Sequence, residues 1–286
     1  MRRRVNLLDT YIDRIDLDGA VAQIDQYVRS GAPHQVVTAN VDFLRLSTED
    51  RAFRDLINTS DLVVPDGMPL LWAARLMGDP LLERVTGVEL MVECARLASA
   101  QDYRVFLLGA GPGVALEAGA VLSDAFPSLS IAGTYAPPVG PFSAQENEKM
   151  VRMIQEMKPD LLFVAFGAPK QDQWIRAHMH RLHVPVCVGV GGSFDLIAGR
   201  VQRAPVWMRD HGLEWLFRVA QEPTRLWKRY FVDDLPIFMR LMAQRRDYNP
   251  APTYGNLLNT PMIAAEGIGA QRSEVRSFEE TGAPMS

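Results

Sequence analysis

Six short apolar runs, each closing on glycine, proline or a polar residue, constrain this chain more than any other feature: HQVVTAN, DLVVPDG, YRVFLLGAG, SIAGTYAPP, DLLFVAFGAPK and VPVCVGVGGSF. Unbroken apolar runs of that length are what strands look like when both faces of their sheet are covered. Amphipathic stretches at 18–30, 42–57, 68–77, 87–100, 113–126, 143–157 and 170–182 predict helices between them. Several open on a capping signal, such as Ser143 followed by Glu146. From 103 to 195 the pattern is a β-α-β-α-β-α-β series, which implies parallel strands joined by right-handed crossovers. The expected fold class is α/β, with a Rossmann-like parallel-sheet core over residues 1–199. Residues 200–246 read as a helical, basic and aromatic appendage. Residues 247–286 are rich in Pro, Gly, Ser and Thr with no sustained period, which predicts a disordered tail.

The bulk numbers exclude several classes. With a formal net charge of −4 over 286 residues, the chain lacks the basic surplus of a general nucleic-acid binder. Its two cysteines, Cys94 and Cys187, lie inside apolar runs and make no disulfide framework, which suits a reducing cytoplasm. MRRR is followed by carboxylates rather than by a secretory apolar stretch, and no window reaches the ~18 apolar residues of a membrane span. A cytoplasmic chain that can still lie on a membrane is the expectation.

In an open α/β sheet, ligands bind beyond the carboxyl ends of the strands. The residues there are Thr38 and Asn40, Asp66 and Gly67, Gly109 and Gly111, Gly167 to Gln171 with Lys170 among them, and Gly191 to Asp195 with Gly192. This glycine-rich rim suits a phosphorylated small molecule. GAGPGVA invites a dinucleotide reading, but the third glycine of G-x-G-x-x-G falls at Val114 and SIAGTYAPP offers no acidic residue for a ribose. Gly109 and Gly111 therefore either approach a nucleotide phosphate or simply make a tight turn. Asp66 is either a general base fixed at a strand end or the N-cap of helix 68–77. Arg84 precedes a helix start, where anions collect. Three features are set aside. The D-x-D of Asp16–Asp18 reads as a helix cap, His178 and His180 of the trio with His183 point to different helix faces, and Asp233–Asp234 reads as a solvated patch. No metal and no cofactor is expected.

VVTANVDFL, LVVPDGMPLLW, ERVTGVEL, VFLLGAGPGV, FVAFGAPKQDQWI, VGVGGSFDLIAGRVQRAPVWM and GLEWLFRVAQEPTRLWKRY, in that order over about residues 36 to 231, together resemble the WecG/TagA/CpsF glycosyltransferases, glycosyltransferase family 26. The resemblance implies a GT-E-type, inverting, metal-independent enzyme that moves a sugar from a UDP-sugar to a polyprenyl-diphosphate-linked saccharide. The sugar would be N-acetylmannosamine, its uronic acid or glucose. Such enzymes work at the cytoplasmic membrane face in surface or secreted polysaccharide synthesis. The resemblance makes Asp66 the catalytic base, puts Thr38 and Asn40 near the reacting sugar, and lines the pocket with Arg84 and Gln171. Gly109, Gly111, Gly167, Lys170 and Gly192 would meet the nucleotide or diphosphate. Asp172 stands where the family usually has glutamate.

In GLEWLFRVAQEPTRLWKRY, Glu214, Arg218, Gln221 and Arg225 share one helical face, and Leu213, Leu216, Phe217 and Ala220 the other, until Pro223 interrupts. By composition this is an amphipathic helix with a solvated polar face. The resemblance implies instead a membrane-targeting element that closes over the site. Arg218 and Arg225 would then grip a diphosphate, while Trp207, Trp215, Trp227, Lys228 and Arg229 meet the bilayer and acceptor. The rival readings are an NAD-dependent Rossmann oxidoreductase or epimerase, and a non-catalytic membrane adaptor. Homo-oligomerisation is left open.

Overall fold

The computed structural model describes residues 2–202, 235–245 and 248–251, together with Met208 and Phe217. The chain opens with an antiparallel hairpin, β1 (Arg4–Leu7) and β2 (Thr10–Asp13). The six expected strands follow: β3 (His34–Ala39), β4 (Leu62–Pro65), β5 (Arg104–Gly109), β6 (Ser130–Tyr135), β7 (Leu161–Ala165) and β8 (Val186–Gly189). They form one parallel sheet in the order β4-β3-β8-β7-β5-β6.

Helices cover both faces, which is why the central strands carry no polar alternation. Val36, Leu107, Phe163 and Val188 pack with α1 (Leu17–Ser30), α5 (Gly87–Gln101), α6 (Val114–Ala125) and α9 (Ser193–Ile197). On the opposite face Val37 and Val63 meet α2 (Val41–Glu49), α3 (Arg51–Asn58) and α4 (Met68–Leu76). Leu108, Val164 and Cys187 meet α7 (Ala144–Met157) and α8 (Lys170–Leu182) on that same face. The Rossmann-like α/β core is therefore as expected, and Ser143 does cap α7 by accepting the Glu146 N–H at 3.1 Å.

Two elements depart from expectation. The hairpin was not foreseen, because four-residue strands are too short to show a period. It shields the sheet edge. Asp13, wholly buried, accepts the Val63 N–H of edge strand β4 at 2.8 Å and pairs with Arg4 at 3.2 Å. Arg4 also donates to the carbonyls of Asn58 and Ser60, both at 2.7 Å. An edge donor that would otherwise invite a foreign strand is thereby satisfied. The predicted helix 42–57 is two helices, because Asp50 is extended (φ −123°, ψ 107°) and its carboxylate accepts the Phe53 N–H at 3.1 Å. Asp50 thus ends α2 and caps α3.

Near its end the described chain returns to the core. α10 (Leu235–Gln244) packs on α2 and α4, with Ile237 and Leu241 buried. Leu8 N–H donates to Gln244 Oε1 at 3.0 Å, Asn6 Nδ2 to the Asn249 carbonyl at 2.8 Å, and the Tyr248 hydroxyl to Asp79 at 3.0 Å. The first residues of the stretch expected to lack order, Tyr248 and Asn249, are thus seated on the hairpin side of the core. Among the described residues no helix is long and apolar enough to cross a membrane.

Candidate active site

Because the six sheet strands are parallel, their carboxyl ends share one edge, and the expected rim forms there. Asp66 continues β4: its N–H donates to the carbonyl of Ala39, the last residue of β3, at 2.7 Å. Gly67, at φ 132°, then turns the chain into α4 and is itself the N-cap, with no side-chain cap bond. The capping role considered for Asp66 is therefore not the one built. Its carboxylate Oδ2 stands 3.5 Å from the N–H of Gly87, the first residue of α5, where the helix dipole favours negative charge. Thr86 caps that helix by accepting the Glu89 N–H at 3.2 Å. Arg84, two residues earlier and mostly buried, donates to Glu89 Oε1 at 3.1 Å. A Cβ on Gly87 would come within 2.8 Å of Ser193 Oγ and 3.2 Å of the Val190 carbonyl. Only a glycine lets the start of α5 abut the β8–α9 turn so closely, and so the ends of β4 and β8 converge with α5 around Asp66.

Thr38, Asn40 and Gln171 hold this framework together. The Thr38 hydroxyl donates to the Gly189 carbonyl at 2.8 Å and is almost wholly buried. Asn40 caps α2 by accepting the Asp42 N–H at 3.0 Å. Gln171, 1% exposed, accepts from the Gly167 N–H at 3.2 Å and the Gly191 N–H at 2.9 Å, joining the turns after β7 and β8. Beside it Asp172 is fully buried and neither of its carboxyl oxygens has a hydrogen-bond partner. Burial pushes its pKa up from 3.8 to about 7, against the pull of its own backbone N–H and the Gln171 side chain.

The remaining expected ligand contacts divide. Gly109, at φ 114°, serves sheet packing, since a Cβ there would lie 2.7 Å from the Ala165 carbonyl. Gly111 opens the turn into α6, whose N-cap is Gly113, and Val114 is buried in the core. Gly192 is the N-cap of α9 without a side-chain bond. β5 lies four strand spacings from β4, about 19 Å, so GAGPG and Asp66 are far apart on the rim. Lys170 does not face the glycine turns. Its amine donates to the Gly140 carbonyl and stands 3.4 Å from the centre of the Phe142 ring, and burial lowers its basicity. This amine forms one wall of an open groove of about 640 Å³ lined also by Asn147, Trp174 and His178. Asp16 caps α1 through the Gly19 N–H at 2.9 Å, and His178 stacks on Trp174 with its Nδ1 2.8 Å from the Trp174 carbonyl. Among the described residues no three His, Cys, Asp or Glu side chains are grouped to hold a metal.

Arg218, Arg225, Trp207, Trp215, Trp227, Lys228, Arg229 and Asp233–Asp234 lie outside the described residues. Sequence reasoning passed over Gly87 and Glu89. The signal existed, for T-G-V-E follows Arg84 directly, but only the fold shows that its glycine meets the β8–α9 turn. It also gave no hint that Asp172 is buried, because an acid in the first turn of a helix is ordinarily a solvated, dipole-favoured residue.

The model of the Glycosyl transferase WecG/TagA/CpsF family matches residues 5–250. The chain is similar to the N-acetylglucosaminyldiphosphoundecaprenol N-acetyl-beta-D-mannosaminyltransferases of Staphylococcus aureus strains MW2, MRSA252 and NCTC 8325. Each is 32% identical over 246 residues, covering 85% of this chain and 93% of the relative.

Proposed function

Because the chain belongs to the Glycosyl transferase WecG/TagA/CpsF family, we propose that it transfers N-acetylmannosamine from its UDP conjugate to N-acetylglucosaminyl-diphosphoundecaprenol, inverting the anomeric centre without a metal. The observation that carries the reading is Asp66, held by the strand ladder at the sheet edge and facing the start of α5 beside Arg84. A general base must be fixed in this way before its acidity matters. In the proposed step Asp66 takes the proton of an acceptor hydroxyl as that oxygen attacks the anomeric carbon, and the UDP oxygen leaves from the opposite face. The negative charge released there needs donors fixed in advance. The α5 N-terminus, whose Gly87 N–H stands 3.5 Å from Asp66 Oδ2, and Arg84 just ahead of it are the donors to hand, whereas GAGPG, about 19 Å along the edge, can meet only the far end of a nucleotide sugar. Asp16 is spent as a cap, which agrees with a transferase that uses no D-x-D metal. The acceptor places the enzyme at a membrane surface, and the exposed Met239 and Met242 of α10 support peripheral attachment. The division into a core at 1–199, an appendage at 200–246 and a tail from 247 is part of the same proposal.

The test is thermal stabilisation by UDP, UDP-N-acetylmannosamine and NAD, each with and without a chelator. A ligand at ~100 times its dissociation constant adds about 2.7 kcal/mol. Stabilisation by the two uridine ligands that survives the chelator is expected. Stabilisation by NAD alone would overturn the reading.

A further inference from the structure

The start of α5 carries a carboxylate that the proposed chemistry leaves without a role, and it touches a group on which that chemistry relies. The backbone leading into the helix is clamped at two points. Glu83 Oε1 accepts the Leu17 N–H at 2.6 Å, and the buried Val85 donates its N–H to the Pro65 carbonyl at 2.8 Å. Pro65 ends β4, so the backbone of Arg84 is fixed beside the strand that leads into Asp66. The Arg84 side chain is another matter. Its stem is long and free to rotate, and the clamp does not decide where the guanidinium rests.

Glu89 supplies that constraint. It is the third residue of α5, a position from which a glutamate ordinarily reaches back to the N–H of the cap residue. Here its Oε1 accepts from Arg84 Nη2 at 3.1 Å, and both side chains are largely withdrawn from water. A charge-assisted bond in such a place is shorter-ranged in its freedom and stronger than a neutral one. The helix start is built by other atoms. The Thr86 hydroxyl accepts the Glu89 N–H at 3.2 Å, and the Thr86 carbonyl accepts the Leu90 N–H at 2.9 Å.

We propose that Glu89 is a positioning residue for the transfer: it holds the Arg84 guanidinium at the rim, ready for the negative charge that the departing diphosphate develops. This rests on reading that rim as the active site. A donor fixed before the reaction meets the developing charge without reorganising, whereas a swinging one must first be collected by each substrate. Glu89 carries the same sign of charge as the diphosphate, so it acts through Arg84 and does not itself meet the substrate.

Magnetic resonance of isotope-labelled arginine side chains in the ligand-free full chain reports on this contact directly. The Arg84 Nη–H signals, identified as those lost in Arg84→Ala, are slowly rotating and resolved in the wild type and averaged in Glu89→Ala. In transfer assays with UDP-N-acetylmannosamine, Glu89→Ala lowers kcat about 10-fold in the otherwise wild-type chain, and less than about 2-fold in the Arg84→Ala background. A residue that only stabilised α5 would cost the same in both. Should Glu89→Ala fold poorly, Glu89→Gln keeps the length, drops the charge, and shows the same dependence on Arg84 at smaller size. Equal losses in the two backgrounds would overturn the proposal, as would an Arg84 guanidinium that is as ordered without Glu89 as with it. A wild type that makes no product with that donor would defeat the proposed donor, while the Arg84 signals still decide whether Glu89 holds that side chain.

Discussion

Two carboxylates, Asp66 after β4 and Asp172 in the first turn of α8, sit in contrasting surroundings. Asp66 faces the N–H of Gly87 beside Arg84, an environment that favours the charged form. Asp66→Asn keeps the shape and removes the base. Transfer should fall by about 10²–10⁴-fold with an unchanged melting temperature, read by product formation and thermal unfolding in parallel. Asp172 is buried instead, and desolvation outweighs the pull of its own backbone N–H and of Gln171. Its carboxyl holds its proton in the folded chain up to about 7, against 3.8 for an ordinary carboxyl. Its contribution to stability is therefore full below pH ~4 and lost as pH rises through 7. Asp172→Asn should unfold at higher urea than the wild type at pH 8, by about 2–4 kcal/mol, with the difference shrinking toward pH 5. At this scale the sequence was half legible. Asp66 announces itself because a polar residue ends a buried run. The bonds from Thr38 to the Gly189 carbonyl and from the Gly191 N–H to Gln171 join residues 151 and 20 positions apart, and no local spacing encodes them.

Among elements, legibility followed length. Strands of four to six residues with continuous apolar character, bracketed by longer helices, were readable as a parallel sheet. The β1–β2 hairpin was not, since its meaning lies in Asp13 and Arg4, charged residues that are buried as a pair. Asp50 was missed for a related reason: one cap residue inside an apolar period looks like a helical position. Two predictions belong here. Asp13→Ala leaves Arg4 buried without its ion partner and β4 with a bare edge donor, and should cost about 3–5 kcal/mol in urea unfolding. Gly109→Ala drives a methyl into the Ala165 carbonyl at a backbone angle that side chains avoid, at φ 114°. It should lower stability by about 1–3 kcal/mol whether or not a nucleotide is present, which separates a packing glycine from a ligand-contacting one.

For the whole molecule, the return of α10 ties the two ends of the described chain into one body. A chain ending at Asp234 should melt several degrees below one ending at Ala251. The longer form keeps Ile237 and Leu241 in the core and the bonds from Gln244, Tyr248 and Asn249. Replacing the exposed Met239 and Met242 by Glu should weaken sedimentation with anionic vesicles several-fold without changing that melting temperature. The bond between Asn6 and Asn249 joins residues 243 positions apart. At a ribosomal rate of about 5–20 residues per second, the hairpin emerges roughly 12–50 s before its last partner exists. Through that interval the nascent hairpin and the β4 edge beside it wait without their final cover. The first element of the described chain is completed only by nearly its last, so premature termination before Gln244 leaves the hairpin, as well as the end, unfinished.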